Sequence, residues 1–349
     1  MEMPVGKETD MNVQAVVFPA EDQIEIREVG LPEIQKDHLR AETLYTFVSP
    51  GTELRTLAGH YGADKKYPLI PGYSTISRVV EVGSAVKGYQ VGDLLSTRGG
   101  GEFIGAATFW GGEAGGHVFR QSAPIVKLPP GAAKNPLPYA VAEVAAISYR
   151  GVLSADPRPG EHAVVIGQGM IGTFAAEFLR LKGCLVTVCD ISAERLAVSR
   201  EAGFTTVELN GDDSVAQLLA YGSGGFDIVA ECSGSAAGFK TAVQLIRQDP
   251  RESMRRLRKD WPRLLLQGNY VDEIPLNPCW FFTGEGLTVL TPADRLPDDR
   301  QQVVELIRSG KWDPSPYLKK VFTPAEMPDA YRKLQKREIS SAICQWRDL

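Results

Sequence analysis

Three glycines, Gly167, Gly169 and Gly172, stand in G-x-G-x-x-G spacing, and an acid, Asp190, follows about twenty residues after them. Glycines so placed permit a tight turn, close approach of the backbone to a pyrophosphate, and packing of a helix on a strand. Met170 and Ile171, between the last two glycines, would then offer free amide N–H groups to the phosphates at a helix N-terminus. A carboxylate at position 190 accepts hydrogen bonds from an adenosine ribose diol and repels a 2′-phosphate. No arginine follows at once, since Ile191-Ser192-Ala193 precedes Arg195, so the pattern favours NAD over NADP. Asp190 also precedes a helical pattern over 193–202 and could cap it, and the two roles are compatible.

A lone glycine motif is weak, and the elements around it give it force. Ala163-Val164-Val165-Ile166 is a short β-branched run suited to one buried strand. Ile171, Phe174, Ala175 and Phe178 then recur at helical spacing, and Leu185 to Cys189 forms a second apolar run ending in Asp190. Strand, glycine turn, helix, strand, acid is the order of a dinucleotide-binding unit; a glycine-rich turn in some other α/β domain is the alternative. Further on, the pattern predicts helix 193–202, strand 205–208, helix 212–220, strand 226–231, helix 236–246 and strand 264–267, hence a parallel sheet covered on both faces. Ser233-Gly234 and Gly268-Asn269 close two of these strands, on the edge of the sheet where ligands bind.

The N-terminal part has a different texture. Segments 13–19, 23–28, 38–48 and 76–82 read as strands, 91–95 continues the β pattern, Ser49–Glu53 reads as irregular, and the glycine-laden 98–116 reads as loop. Ala-rich, helical sequence fills 136–153 after the break Pro129-Pro130-Gly131. Near the C-terminus, helices are expected at 298–309 and 325–335, with a last strand at 341–346 that could return to the first sheet. Domain limits follow at 11–128, 129–295 and 296–349. The basic stretch 247–262 reads as a solvated surface excursion, with an anionic partner or neighbouring subunit as the lesser alternative.

The 349 residues suffice for two cores, with 43% hydrophobic and 23% charged residues. A net charge of −5 gives no reason to expect nucleic acid or an anionic membrane as partner. There is no spanning apolar run and no signal peptide, and the first ten residues read as loose. The five cysteines are scattered without a C-x-x-C pair, so the expected compartment is the cytoplasm. Four dispersed histidines announce no metal site.

Over nearly its whole length the chain resembles the medium-chain dehydrogenase/reductase superfamily. The likeness rests on Ala15-Val16-Val17, on P-G-Y-x5-V-x-E-V-G at 71–83, and on V-G-D at 91–93. It rests further on GQGMIG at 167–172, Asp190 with Arg195-Leu196, and Asp227-Ile228-Val229 leading to Glu231-Cys232-Ser233-Gly234. The resemblance implies a GroES-like β-rich catalytic domain built from both chain ends, a Rossmann doubly wound domain between them, and a nicotinamide in the intervening cleft. It also implies a homodimer, for which Pro278-Cys279-Trp280-Phe281-Phe282 is a candidate interface, or else core.

Zinc-dependent members carry C-G-[ST]-D and G-H-E where this chain has Pro50-Gly51-Thr52-Glu53 and Gly72-Tyr73-Ser74, and they carry a cysteine-rich lobe that is missing here. Only Glu143 matches the carboxylate that polyol-dehydrogenase relatives use at the metal. One carboxylate cannot hold zinc, which needs three protein ligands, so no metal is expected. S-x-G-T-E with P-L-x-P-G-Y is similar to the zinc-less branch that includes the bacteriochlorophyllide hydroxyethyl dehydrogenases.

Without zinc, a side chain must take the hydroxyl proton or stabilise an alkoxide. The resemblance puts Tyr73 and Ser74 at the vacated ligand positions, with Tyr73 the first candidate and a packed loop tyrosine its alternative. Glu53 and Glu143 are candidate orienting acids or bases, Glu53 equally a structural carboxylate, and His60 a possible base or a surface histidine. Tyr149 is expected at the cleft or domain seam, His117 at a hairpin edge, and Cys232 in packing. The expected activity is NAD(H)-dependent, zinc-independent interconversion of a secondary alcohol and a ketone on a polyhydroxylated or multi-ring small molecule. A reductase of activated double bonds or quinones and an inactive dinucleotide-binding sensor are the alternatives.

Overall fold

The structure is a computed structural model that describes residues 11–60, 66–211, 213–247, 261–270, 273–277 and 286–348. The first ten residues, nearly all of the basic stretch at 247–262, and the 278–282 run lie outside the described residues. The chain divides into two units, Met1–Glu143 with Arg300–Leu349, and Val144–Asp299.

The second unit grows from apolar, β-branched strands, of which the central ones, His162–Ile166 and Ile228–Glu231, are almost wholly buried. Its sheet runs in the order Thr205–Glu208, Leu185–Asp190, His162–Ile166, Ile228–Glu231, Arg263–Leu266, Thr288–Leu290, and every pairing is parallel. Numbered along the chain, this is 3-2-1-4-5-6, the Rossmann order, whose reversal beside the first strand opens a ligand crevice. Val164, Ile166, Val229 and Leu264 are fully or almost fully buried in one core with Phe226, Phe239 and Leu245. The helix Met170–Leu181 buries Phe174, Ala175 and Phe178, and further helices lie at Ala193–Glu201, Ser214–Tyr221 and Ala236–Leu245. Tyr149 packs edge-on against Phe178, centroids 5.2 Å apart.

The first unit is the β-rich, GroES-like one. An antiparallel pair, Met11–Val17 with Glu25–Leu31, accompanies a seven-stranded sheet. That sheet runs Val321–Phe322, Ile343–Gln345, His38–Phe47, Thr75–Val82, Leu94–Thr97, Ile125–Lys127, with Gly116–Arg120 also on His38–Phe47. The last strand does return to the first sheet, Ile343 pairing with Phe47 and Gln345 with Tyr45. The helix Met327–Gln335 seals this fold by burying Met327, Ala330, Tyr331 and Leu334 against Val16, Phe18 and Leu57.

Four local expectations are corrected. Ser49–Glu53 is not irregular: a helix runs Pro50–Leu57, with proline at its first turn where a missing N–H costs nothing, and Glu53 accepts the Ser49 N–H at 2.7 Å. Val91-Gly92-Asp93 is a turn, not strand, because Gly92 takes φ +93° and Asp93 accepts the Gln90 N–H; the strand is Leu94–Thr97. Within 98–116, Ala107–Thr108 pairs with Leu69–Ile70. The helical 136–153 is a 3₁₀ turn, Leu137–Val141, followed by the helix Ala142–Ser154. The first boundary also falls later than 128, because Tyr139, Ala140 and Val141 are buried and the Ser74 hydroxyl donates to the Ala140 carbonyl at 2.7 Å.

Candidate active site

In the Rossmann unit the glycine turn joins the strand His162–Ile166 to the helix Met170–Leu181, whose N-cap is Gly169. Gly167 adopts φ +90°, which disfavours any L side chain, and a Cβ there would lie 2.8 Å from the Ser233 amide nitrogen. A Cβ on Gly172 would lie 1.8 Å from the Gly167 carbonyl oxygen, so helix and turn touch backbone to backbone. At Gly169, the N-cap of the helix, a Cβ would meet nothing within 4 Å, so the turn is open on that side. That is the geometry an anionic phosphate needs.

Asp190 closes the neighbouring strand and is buried. Its Oδ2 accepts the Gln168 N–H at 2.6 Å and its Oδ1 the Ser192 N–H at 2.8 Å, with Arg195 Nη1 3.7 Å away. The carboxylate is thus pinned beside the turn. The helix after it is capped by Ser192, whose hydroxyl accepts the Arg195 N–H, and not by Asp190.

The remaining cofactor candidates meet at the same sheet edge. A Cβ on Gly234 would lie 2.7 Å from the Asn269 carbonyl oxygen, and one on Gly268 would lie 2.3 Å from the Gly234 nitrogen. Beneath them sits Glu231, fully buried, whose role was not legible in sequence. It accepts the N–H groups of Ser233 (2.8 Å) and Gly234 (3.1 Å) and the hydroxyls of Ser233 and Tyr270. One carboxylate therefore orders both loops.

In the β-rich unit the structure joins some of the proposed residues and separates others. Tyr73 is buried, its hydroxyl donates to Ser49 Oγ at 2.6 Å, and its ring meets Trp110 at 5.1 Å. Ser49 also donates its N–H to Glu53, so Tyr73, Ser49 and Glu53 form one cluster. Glu53 accepts a second bond, from the Tyr331 hydroxyl at 2.5 Å. Burial pushes the Glu53 carboxyl up to about 7, and these two bonds offset only part of that rise. Glu113, which sequence reasoning missed, lies in the same core and accepts from Thr46 Oγ1 at 2.6 Å. Burial, then the charge of Glu53, raises it well above the usual carboxylate range.

Ser74 and His60 stand apart. The Ser74 hydroxyl is engaged by the Ala140 carbonyl, and His60 is exposed beyond the end of the helix Pro50–Leu57. His117 lies in the strand Gly116–Arg120 with its ring between Thr43 Oγ1 and the Gly111 carbonyl, both at 3.0 Å. Burial lowers its pKa to about 4, so it is neutral at physiological pH.

Glu143 is buried, with Arg300 Nη1 at 3.0 Å and Arg98 Nε at 3.7 Å. The residues at the family's metal position do not fit zinc. Pro50 has no donor, Tyr73 turns its hydroxyl to Ser49, and Glu143 faces two guanidinium groups. Among the described residues no three His, Cys, Asp or Glu side chains converge on one point.

A family model described as zinc-binding dehydrogenase matches residues 171–251. An alcohol dehydrogenase of Geobacillus stearothermophilus is 27% identical over 94% of this chain and 97% of its own length. Two crystal structures share the fold. A zinc-binding dehydrogenase of Sinorhizobium meliloti bound to NADP has TM-score 0.79 and 20% identity, over 97% of this chain and all of that one. An Escherichia coli alcohol dehydrogenase complexed with NADH has TM-score 0.78 and 18% identity, over 96% and 99%. With its GroES-like and Rossmann units and its glycine turn, the chain is similar in sequence and fold to the zinc-type alcohol dehydrogenases of the medium-chain dehydrogenase/reductase superfamily.

Proposed function

We propose that this chain is an NAD(H)-dependent oxidoreductase that interconverts a secondary alcohol and a ketone without a catalytic metal, in the manner of the zinc-less branch. Asp190 is the observation that carries the cofactor reading. It is a buried carboxylate fixed beside the glycine turn, placed to accept a ribose diol and to repel a 2′-phosphate. The bound coenzyme supplies the hydride acceptor; the protein must bind it and move the hydroxyl proton. Gly167, Gly169 and Gly172 with Met170 and Ile171 receive the pyrophosphate, and Ser233, Gly234, Gly268 and Asn269 line the sheet edge, ordered by Glu231.

Tyr73 and Ser49 supply the proton path. As the alcohol is oxidised, its O–H proton passes to Tyr73 Oη, the tyrosine proton passes along the existing 2.6 Å bond to Ser49 Oγ, and the serine hydroxyl releases its own proton to solvent. The phenol is never left as an isolated charge in a buried position. Glu53 holds the Ser49 backbone and so fixes the relay, while Ser74 secures the segment to Ala140. Polar side chains at these positions support a polyhydroxylated or multi-ring substrate. Homodimer assembly and a reducing cytoplasmic location complete the proposal, the latter supported by the free thiols of Cys184, Cys189, Cys232 and Cys344.

Turnover of a panel of secondary alcohols and ketones, in the presence of a zinc chelator, tests the assignment. Chelator-insensitive NADH oxidation by ketones supports it. Oxidation of NADH by enones or quinones alone makes the chain a double-bond reductase, and NADH binding without any turnover makes it a sensor.

A further inference from the structure

Glu113 is fully buried in the β-rich unit, and the proton path leaves it without a task. Its backbone belongs to a strap that runs in step with the segment leading to Tyr73. The Gly111 N–H donates to the Ile70 carbonyl at 3.2 Å, the Glu113 N–H to that of Pro71 at 2.9 Å, and the Gly112 N–H to that of Gly72 at 2.8 Å. Behind the strap, the Val16 N–H donates to the Glu113 carbonyl at 2.9 Å. A Cβ on Gly112 would lie 2.7 Å from the Gly72 carbonyl oxygen and 3.0 Å from the Tyr73 amide nitrogen, so the two segments touch backbone to backbone. The Glu113 side chain then folds over Gly72, where a Cβ would lie 2.6 Å from its Cγ and 3.3 Å from its Oε1. Gly72 also takes φ +87°, so position 72 suits glycine on both counts.

The carboxyl group itself is only half satisfied. Its Oε2 accepts from Thr46 Oγ1 at 2.6 Å, and Thr46 in turn accepts the Trp346 indole N–H at 3.0 Å. Its Oε1 is buried with no hydrogen-bond partner among the described residues. Three titratable groups face it from other elements: Glu53 on the helix Pro50–Leu57, Tyr331 on the helix Met327–Gln335 and Cys344 on the last strand. His117 meets the strap at the Gly111 carbonyl. None of these four carries positive charge at physiological pH, His117 being neutral there. A carboxylate with one bond and an acid for a neighbour is expensive to bury, and burial, then the charge of Glu53, keeps the proton on Glu113. The neutral acid leaves one uncharged oxygen unpaired, a smaller penalty.

We propose that Glu113 is a positioning residue for Tyr73 and that it acts as the neutral acid. Its side chain and strap seat Gly72, Gly72 sets where Tyr73 begins, and the Tyr73–Ser49 bond depends on that placement. Ionised, the carboxyl would need a donor for Oε1, and that oxygen lies over Gly72, so the seat would have to open to supply one. Glu113 is assigned no contact with the reacting atoms and acts through Tyr73. This inference rests on the Tyr73 relay proposed above, and it adds the residue that holds the tyrosine in place.

The test uses the full chain as wild type, Glu113→Gln, Glu113→Ala, Tyr73→Phe and the double variant Tyr73→Phe/Glu113→Ala. Infrared spectra at pH 8 read the charge state: wild type should show a protonated-carboxyl carbonyl band that Glu113→Gln lacks. Deuterium exchange at Gly112 and Glu113, the amides bonded to Gly72 and Pro71, reads the seat without any substrate. Glu113→Gln, which copies the neutral acid, should keep wild-type protection there. Glu113→Ala should lose roughly tenfold or more of it, while the Rossmann strand His162–Ile166 stays as protected as in wild type. If the alanine variant does not fold, Glu113→Asp, one methylene too short to cover Gly72, serves the same comparison. Oxidation of 2,3-butanediol by NAD reads the consequence. Glu113→Ala should lower kcat roughly tenfold or more with NADH affinity unchanged, and Glu113→Gln should restore it. In the Tyr73→Phe background the alanine should change kcat by no more than about twofold, because no relay is left to misplace. A wild type without the carbonyl band, unaltered exchange in Glu113→Ala, or equal losses of kcat on the two backgrounds overturns the inference. Wild-type kcat in Tyr73→Phe overturns the relay reading instead.

Discussion

Replacing Glu53 by glutamine should remove most of one pH-dependent component of stability. The carboxyl is buried, and its pKa in the folded state is about 7 against 4.5 for the free side chain. Between those values the folded protein holds a proton that the unfolded chain has released. Folded molecules therefore bind more protons, and stability falls as pH rises, by about 1.4 kcal/mol per unit. Over the full window the loss is about 3 kcal/mol, complete a little above pH 7, with no further change once both states are ionised. Glutamine mimics the protonated form. Its carbonyl can still accept the Ser49 N–H, and its amide can donate to Tyr331, whose hydroxyl then accepts. Urea unfolding of wild type and Glu53→Gln at pH 4.5 and pH 8 reads the effect. The variant should gain about 3 kcal/mol on the wild type between the two pH values. Because the Glu53 charge also raises Glu113, its removal should flatten the profile further. A stability difference that is the same at both pH values, or a wild type that grows more stable from pH 4.5 to 8 relative to the variant, refutes the reasoning.

Three other outcomes follow from the same geometry. Asp190→Ser should weaken NADH roughly tenfold or more while NADPH binds no worse, since the charge that repels a 2′-phosphate is gone; the ratio of the two dissociation constants is the measurement. Gly172→Ala should abolish coenzyme binding and lower the melting temperature, because its Cβ would lie 1.8 Å from the Gly167 carbonyl oxygen, whereas Gly169→Ala should fold normally. Tyr73→Phe should fold, costing about 1 kcal/mol for the lost bond to Ser49. Its kcat should fall on the order of a hundredfold, with NADH affinity unchanged in a fluorescence titration.

What the sequence made legible was local. The run from His162 to Asp190 shows its strands and helix because apolar periodicity and glycine spacing are short-range signals, and the strand Thr205–Glu208 lies where the pattern puts it. The helix Pro50–Leu57 was hidden because Pro and Gly at its start look like a break, although proline in a first turn is permitted. Side-chain partners were the least legible part. Glu53 meets Tyr331 across 278 positions, and Glu143 meets Arg300 across 157. Nothing in composition or spacing joins such residues; only the return of the C-terminal segment to the first sheet brings Tyr331 to Glu53.

The most direct test is a calorimetric titration of dialysed protein with NADH and with NADPH, with zinc content determined by elemental analysis of the same sample. Saturable NADH binding at one site per chain, at least tenfold tighter than NADPH, in protein essentially free of zinc is the expected result. Stoichiometric zinc, or no heat with either coenzyme, contradicts the assignment.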